Sequence, residues 1–519
     1  MFDIILKNGT IIDGTGSPAY FSDIAIKDGK IALIAKNIED GHEIIDVSGL
    51  TVTPGFIDSH AHNDENVLTF PEQREKVEQG ITTAIAGACG NTNAPLSCEF
   101  REEEEVEYEG LGKHSDIHRT WKSYMETLDR VPQGCNLLCY VGHNAIRRAG
   151  MGSEYRAPTA EELERMKELV REAMEHGALG ISFGLAYAPS CYADKHELIE
   201  LAKVVAKYHG VVSAHVREEG DQVVRSVEEF LTIIQESGAR GVYSHIKSQG
   251  MENWGKVCHT LKMIEEANEK GFEVFGDVYP YNASHTRLSA NIVPRHLHSG
   301  GVPALCKALE SEEGRRDVRE FCHKTWGDDW SWVQITICSA YPEYEGKTIP
   351  EIAAIHGKDE IDTMCDIIHA SRNVCSACYF NIWEDDIERV IAYPRTMICT
   401  DSRVACNNEV YHPRLRASFP RAIAKYVRER GVVTLPEMIR KITSMPAAVY
   451  GLSSKGLLRE GMDADICVFD YEKLQDHATF ANCKARSTGI SYVLVGGEVV
   501  VVDAVHNGKR NGKVLRHKA

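Results

Sequence analysis

Ala178-Leu179-Gly180-Ile181-Ser182, Gly210-Val211-Val212-Ser213-Ala214, Gly241-Val242-Tyr243-Ser244 and Phe272-Glu273-Val274-Phe275-Gly276-Asp277-Val278 are short apolar runs. Amphipathic stretches at 195–209, 222–237 and 255–270 separate them. Runs this apolar suit strands buried on both faces, and parallel neighbours need crossover helices of about this length. Working outward, similar runs stand at 55–59, 82–86 and 137–141 before them and at 396–400 after them. Eight such units predict an α/β protein built on a (β/α)8 TIM barrel; an open sheet is the alternative that fits the same alternation. The segment about 284–344 breaks the rhythm and reads as an insertion between the seventh and eighth units. A second irregular segment, 91–116, carries Glu102-Glu103-Glu104-Glu105, which reads as a solvated loop.

Both ends of the chain differ from this middle. Residues 1–54 consist of short β-branched segments and turns, among them Ile24–Ile34 with Asp28-Gly29 as a hairpin turn. Residues 451–519 have the same texture, with a strand at Asp465–Asp470 and a hairpin at Tyr492–Val502. Chain ends often lie close together, so one small β-sandwich domain formed by both ends is expected, with the barrel filling 55–450.

Composition narrows the function. The 519 residues carry 58 Lys and Arg against 76 Asp and Glu, a formal net charge of −18. That balance argues against a nucleic-acid partner, whose phosphates need a basic surplus. No stretch approaches about 18 consecutive apolar residues, and Met1-Phe2-Asp3 does not begin an export signal, so no membrane partner is expected and the cytoplasm is. The 16 cysteines then read as reduced thiols, most of them small core residues.

Chemistry concentrates where the strands end. His60 and His62 follow Gly55-Phe56-Ile57-Asp58-Ser59, and imidazoles two apart on an extended strand point the same way. Cys89 follows Ala84–Ala88, His215 follows Val211–Ala214, His245 follows Val242–Ser244, and Asp401 follows Met397–Thr400. The carboxyl ends of barrel strands open onto one face, where active sites sit. A mixed Cys, His and Asp set in that place favours Zn²⁺ over the all-oxygen shells of Mg²⁺ or Ca²⁺. Cys375-Ser376-Ala377-Cys378 lacks the second pair that a structural zinc site needs.

Gly55-Phe56-Ile57-Asp58-Ser59-His60-Ala61-His62 resembles the first-strand signature of the amidohydrolase superfamily. Within it the chain resembles the D-aminoacylases, or N-acyl-D-amino-acid deacylases, in stretches spread along almost its whole length. They include Gly87-Ala88-Cys89-Gly90, Gly142-His143-Asn144, Gly177–Tyr187, His215–Gly220, Ser244–Lys247, Tyr279-Pro280-Tyr281, His412-Pro413-Arg414 and Gly461–Ile466. The resemblance implies a tightly held zinc on Cys89, His215 and His245 and a second, weaker metal position on His60, His62 and Asp401. It assigns to Cys89 the place that a carboxylated lysine of the fourth strand takes in many amidohydrolases, and Ala178–Ser182 indeed contains no Lys.

That resemblance also implies hydrolysis of N-acyl-D-amino acids to a carboxylate and a free D-amino acid. Asp401 would then be the proton carrier between water and the departing amine. A substrate with a free α-carboxylate needs a cation, and Lys247, Arg414 and Tyr281 are the implied candidates, with Ser284 beside them. Two alternatives remain: a cyclic amidase of the hydantoinase or dihydroorotase kind, and a catalytically inactive amidohydrolase-fold interaction scaffold. The missing strand-four lysine counts against the first, and six intact metal-competent side chains count against the second.

Overall fold

The computed structural model describes residues 1–96, 119–404 and 411–518. Most of the acidic segment at 91–116 therefore lies outside the described residues.

Eight parallel strands form a closed barrel. They are β1 (Phe56–Asp58), β2 (Ile81–Ala86), β3 (Asn136–Cys139, continued by Val141–Gly142), β4 (Gly180–Gly184), β5 (Val211–His215), β6 (Arg240–Tyr243), β7 (Val274–Val278) and β8 (Thr396–Ile398). The first three pair in the order β1-β2-β3, and β4 through β8 form a second parallel run that starts on Val141–Gly142. A parallel bridge between Ala61 and Ser402, just past β1 and β8, closes the ring. Its eight strands fall on the eight runs legible in the sequence, and closure removes the open-sheet alternative.

The strands are short and apolar because both faces are covered. Ile57, Ile85, Leu138, Tyr140 and Met397 point into the lumen and pack with Tyr450 in one core. Phe56, Ala84, Ala86 and Leu137 alternate with them and meet the surrounding helices in a second, larger core. The helices start where their caps dictate. Thr159 and Glu162 form a reciprocal capping box ahead of Ala160–Glu175, and Asp194 caps Lys195–Lys207 by accepting from the Glu197 amide.

The two chain ends build one nine-stranded sheet. Strand Thr51–Pro54 pairs antiparallel with Ile466–Phe469 and parallel with Phe2–Ile11, so residues from both ends share backbone hydrogen bonds and a core around Ile11, Val52, Ile466 and Leu494. Lys30, Asp463, Lys455 and Asp465 form a chain of ion pairs across this junction, with separations of 2.5–3.0 Å.

The excursion between β7 and β8 is longer than 284–344. It forms a body with its own core and a three-stranded antiparallel sheet in the order Ser284–Arg287, Ser376–Tyr379, Val333–Ile337. The central strand, Ser376–Tyr379, lies well beyond residue 344, so the insertion has to extend to Tyr379. Among the described residues no helix is long and apolar enough to cross a membrane.

Candidate metal and catalytic site

The strand ends hold their side chains in strained backbone. Cys89, His245 and Asp401 have φ values of 53°, 37° and 46°, in the left-handed region that non-glycine residues seldom adopt. Such conformations cost free energy and persist where surrounding structure fixes them, typically at functional sites. Close backbone approach fixes Cys89. A Cβ on Gly184, at the end of β4, would stand 2.0 Å from the Cys89 carbonyl oxygen.

These turns bring the chemistry to one point. One potential ligand atom each from His60, Cys89, His245 and Asp401 lies within 4.8 Å of the others, and all four residues are buried. Cys89 Sγ is 3.3 Å from His60 Nε2, 3.4 Å from His245 Nε2 and 3.8 Å from His215 Nδ1. Asp401 Oδ1 is 3.1 Å from His62 Nε2 and 3.4 Å from His60 Nε2. All six residues singled out at strand ends therefore meet. Zn–N and Zn–S bonds of about 2.0–2.3 Å make the ligand–ligand edges of a tetrahedron about 3.5 Å long. The separations around Cys89 match that figure, and the thiol-imidazole-carboxylate chemistry suits zinc, so the residues present fit the ion.

Electrostatics agree with a cation site. Burial works against ionising the Cys89 thiol, but the His60 and His245 rings outweigh it and hold the thiol well below its ordinary range. Burial likewise opposes a charged His60, and the Cys89 and Asp277 charges overcome it, raising the ring well above its usual value. His62 is carried up to about 9: burial opposes its charge, and hydrogen bonds to Asp401 and Cys89 outweigh that. Asp401 is held well below the carboxylate range despite burial, chiefly by Arg414, whose guanidinium lies 2.7 Å from Oδ2.

Four buried groups that the sequence did not single out support this centre. Asp277 on β7 accepts the His245 amide at 2.5 Å, and its Oδ2 lies 3.6 Å from His60 Nδ1. Asp58 accepts the Thr400 amide and hydroxyl at 2.9 and 2.6 Å. Lys76, wholly buried, donates to Asp58 at 2.9 Å, to Thr400 Oγ1 at 2.5 Å and to the Ser402 carbonyl at 2.9 Å. Asp58 and Lys76 thereby tie the strand end that carries His60 to the one that carries Asp401. The fourth is Glu219, which is 7% exposed.

A cavity of about 260 Å³ opens over the cluster, between the barrel face and the insertion. Lys247, Ser284 and Arg414 line it. Tyr281 is not among the residues that line it, although its buried hydroxyl also has no hydrogen-bond partner among the described residues. The Tyr281 amide donates to the Tyr279 carbonyl at 2.9 Å, a tight turn that sends the Tyr281 ring against His412 and Phe480 instead. Tyr279 lines the cavity in its stead. The buried hydroxyls of Tyr279 and Ser284 have no hydrogen-bond partner among the described residues. Orphaned donors of this kind mark a place where a polar ligand is expected. Arg148, Arg287, Arg295 and Arg403 add to the basic lining, opposed by Glu65, Glu219 and Asp401.

Against known proteins, the model of the Amidohydrolase family matches residues 43–501. D-aminoacylase of Alcaligenes xylosoxydans xylosoxydans is 34% identical over all of this chain and 98% of its own length. N-acyl-D-glutamate deacylase of the same organism is 32% identical over all of this chain and 97% of its own. The crystal structure of N-acyl-D-glutamate deacylase from Bordetella bronchiseptica, complexed with zinc and a phosphonate mimic of the tetrahedral intermediate, superposes with a TM-score of 0.86. It is 33% identical and covers 99% of both chains.

Proposed function

This chain belongs to the amidohydrolase family, and from that membership we propose that it hydrolyses the amide bond of N-acyl-D-amino acids, releasing a carboxylate and a free D-amino acid. The observation that carries the reading is the meeting of His60, Cys89, His245 and Asp401 beneath a basic cavity with unpartnered hydroxyls. The full-length relatives named for D-aminoacylase and N-acyl-D-glutamate deacylase activity supply the D configuration and the acyl substrate. Free thiols throughout the described residues support the cytoplasm as its compartment.

Cys89, His215 and His245 would hold one tightly bound zinc ion, and His60, His62 and Asp401 a second, weaker one. When bound, zinc supplies a Lewis acid that polarises a carbonyl and lowers the pKa of water toward about 7. The remaining work falls to side chains. Asp401 takes a proton from the attacking water and passes it to the departing nitrogen. Arg414, 2.7 Å away, keeps Asp401 ionised and ready to accept that proton. Lys247 and Ser284 hold the substrate α-carboxylate from the cavity wall. Arg414 also stacks over Tyr279, 4.7 Å from the ring centroid, and lines the same cavity. The Tyr279 hydroxyl donates to the oxygen that gains charge as the carbonyl is attacked.

Linear and cyclic amides separate this reading from the hydantoinase-like alternative. With zinc-loaded protein, N-acetyl-D-amino acids should release free amine, while a hydantoin and dihydroorotate should stay closed. Ring opening without release from the linear substrates would replace the proposed reaction by the cyclic one. Turnover of neither would leave an inactive scaffold.

A further inference from the structure

Glu219 lies just past β5 in Arg217-Glu218-Glu219-Gly220, and its neighbour fixes the loop. The Glu218 carboxylate accepts the amides of Gly220 and Gln222 at 2.8 and 2.5 Å, and the Gln249 amide donates to the Glu219 carbonyl at 2.7 Å. The Glu219 side chain then meets four groups. Oε1 is 2.6 Å from Lys247 Nζ and 3.2 Å from His245 Nδ1. Oε2 accepts from Gln249 Nε2 at 2.9 Å and lies 3.6 Å from His215 Nε2.

His215, Glu219 and His245 resemble a second cation site, since one ligand atom of each lies within 4.8 Å of the others. A cation already sits there. The Lys247 ammonium is 2.6 Å from Glu219 and 2.7 Å from His245 Nδ1. The two imidazoles, moreover, turn their other nitrogens, His215 Nδ1 and His245 Nε2, toward Cys89 Sγ. An imidazole binds a metal through an unprotonated nitrogen, so its proton must sit on the outer one and needs an acceptor there. An ammonium only donates, so Lys247 can bond His245 Nδ1 only while that nitrogen carries no proton, and once Nε2 takes a metal Nδ1 has to turn to Glu219, 3.2 Å away. One carboxylate faces both outer nitrogens.

We propose that Glu219 is a positioning residue that couples the metal ligands to the substrate anchor: it fixes the inward lone pairs of His215 and His245 and the place of the Lys247 ammonium. Its reach to Lys247 rests on the function proposed above; its hold on the two imidazoles does not. With both groups on one carboxylate, a change at Glu219 has to disturb metal retention and substrate affinity together. A residue that merely packs the loop would lower thermal stability and leave both untouched.

The test is zinc affinity by competition with a chromophoric chelator on the full chain, alongside KM and kcat for an N-acetyl-D-amino acid at saturating zinc. Glu219→Gln is expected to weaken zinc binding about 10- to 100-fold, the usual cost of removing a ligand's supporting partner. Its KM should rise by about 10-fold or more and its kcat change less. Glu219→Asp keeps the charge at shorter reach and should fall between Glu219→Gln and wild type on both scales. Zinc affinity unchanged in a folded Glu219→Gln protein overturns the orienting of the imidazoles, and an unchanged KM overturns the coupling to Lys247. Should Glu219→Gln not fold, Glu219→Asp decides: zinc affinity equal to wild type overturns the proposal. Zinc competition uses no substrate, so protein that loses zinc in these variants but hydrolyses no N-acyl-D-amino acid would sink the proposed function and leave the imidazole half standing.

Discussion

Asp401 sits where one residue touches every part of the chemistry: 3.1 Å from His62, 3.4 Å from His60 and 2.7 Å from Arg414. Asp401→Asn keeps the shape and removes the proton acceptor. Turnover should fall by at least about 10²-fold, within the range such a group contributes. Zinc on Cys89, His215 and His245 should stay, because none of the three depends on Asp401 for its place. Measuring zinc content and rate on one preparation checks both halves, and full activity in that variant would take Asp401 out of the reaction. The six strand-end residues were legible because each follows a short apolar run that reads as a buried parallel strand. Glu219 was not legible, since Glu218-Glu219 beside Arg217 has the look of a solvated turn and only the fold swings its carboxylate under Lys247.

Elements matter through the ties between them. Lys76 lies on a helix of four residues, Arg74–Val77, that no periodicity could announce, yet it fastens the ends of β1 and β8 through Asp58, Thr400 and Ser402. Removing one partner of a buried pair leaves the other charged and unpaired, which typically costs about 3–5 kcal/mol. Lys76→Met should therefore unfold at markedly lower denaturant than wild type, and a midpoint within error of wild type would deny Lys76 that role. At the junction of the chain ends, Asp463 is held at about 2 against an ordinary 3.8: burial opposes its charge, and Lys455 and Lys30 outweigh that. A carboxyl depressed on folding stabilises above its unfolded pKa, and that contribution is lost as pH falls from about 4 to about 2. The melting-temperature gap between wild type and Asp463→Asn should be full at pH 6 and close as pH falls through that window. A gap that stays constant down to pH 2 would contradict the assignment. The length of the insertion was hidden by the same logic that exposed the barrel. Val333–Ile337 and Ser376–Tyr379 are apolar strands too, and their antiparallel pairing with each other is a long-range fact.

Over the whole molecule, a net charge of −18 and a locally basic cavity coexist, because the fold gathers Lys247, Arg414 and four further arginines around it. Charge balance still argues against nucleic acid, whose phosphates would meet the acidic surface at large. Among the described cysteines, Cys89 is the one that meets the strand-end imidazoles. The barrel carries the six strand-end side chains, the insertion roofs the cavity, and the nine-stranded sheet ties both ends of the chain to the barrel.

Release of free amine from matched N-acetyl-D- and N-acetyl-L-amino acids, before chelation, after chelation and after zinc is returned, tests the central claim most directly. The account predicts hydrolysis of the D series alone, lost with the metal and restored by zinc. Equal hydrolysis of the L series, or hydrolysis that survives complete removal of metal, would contradict it.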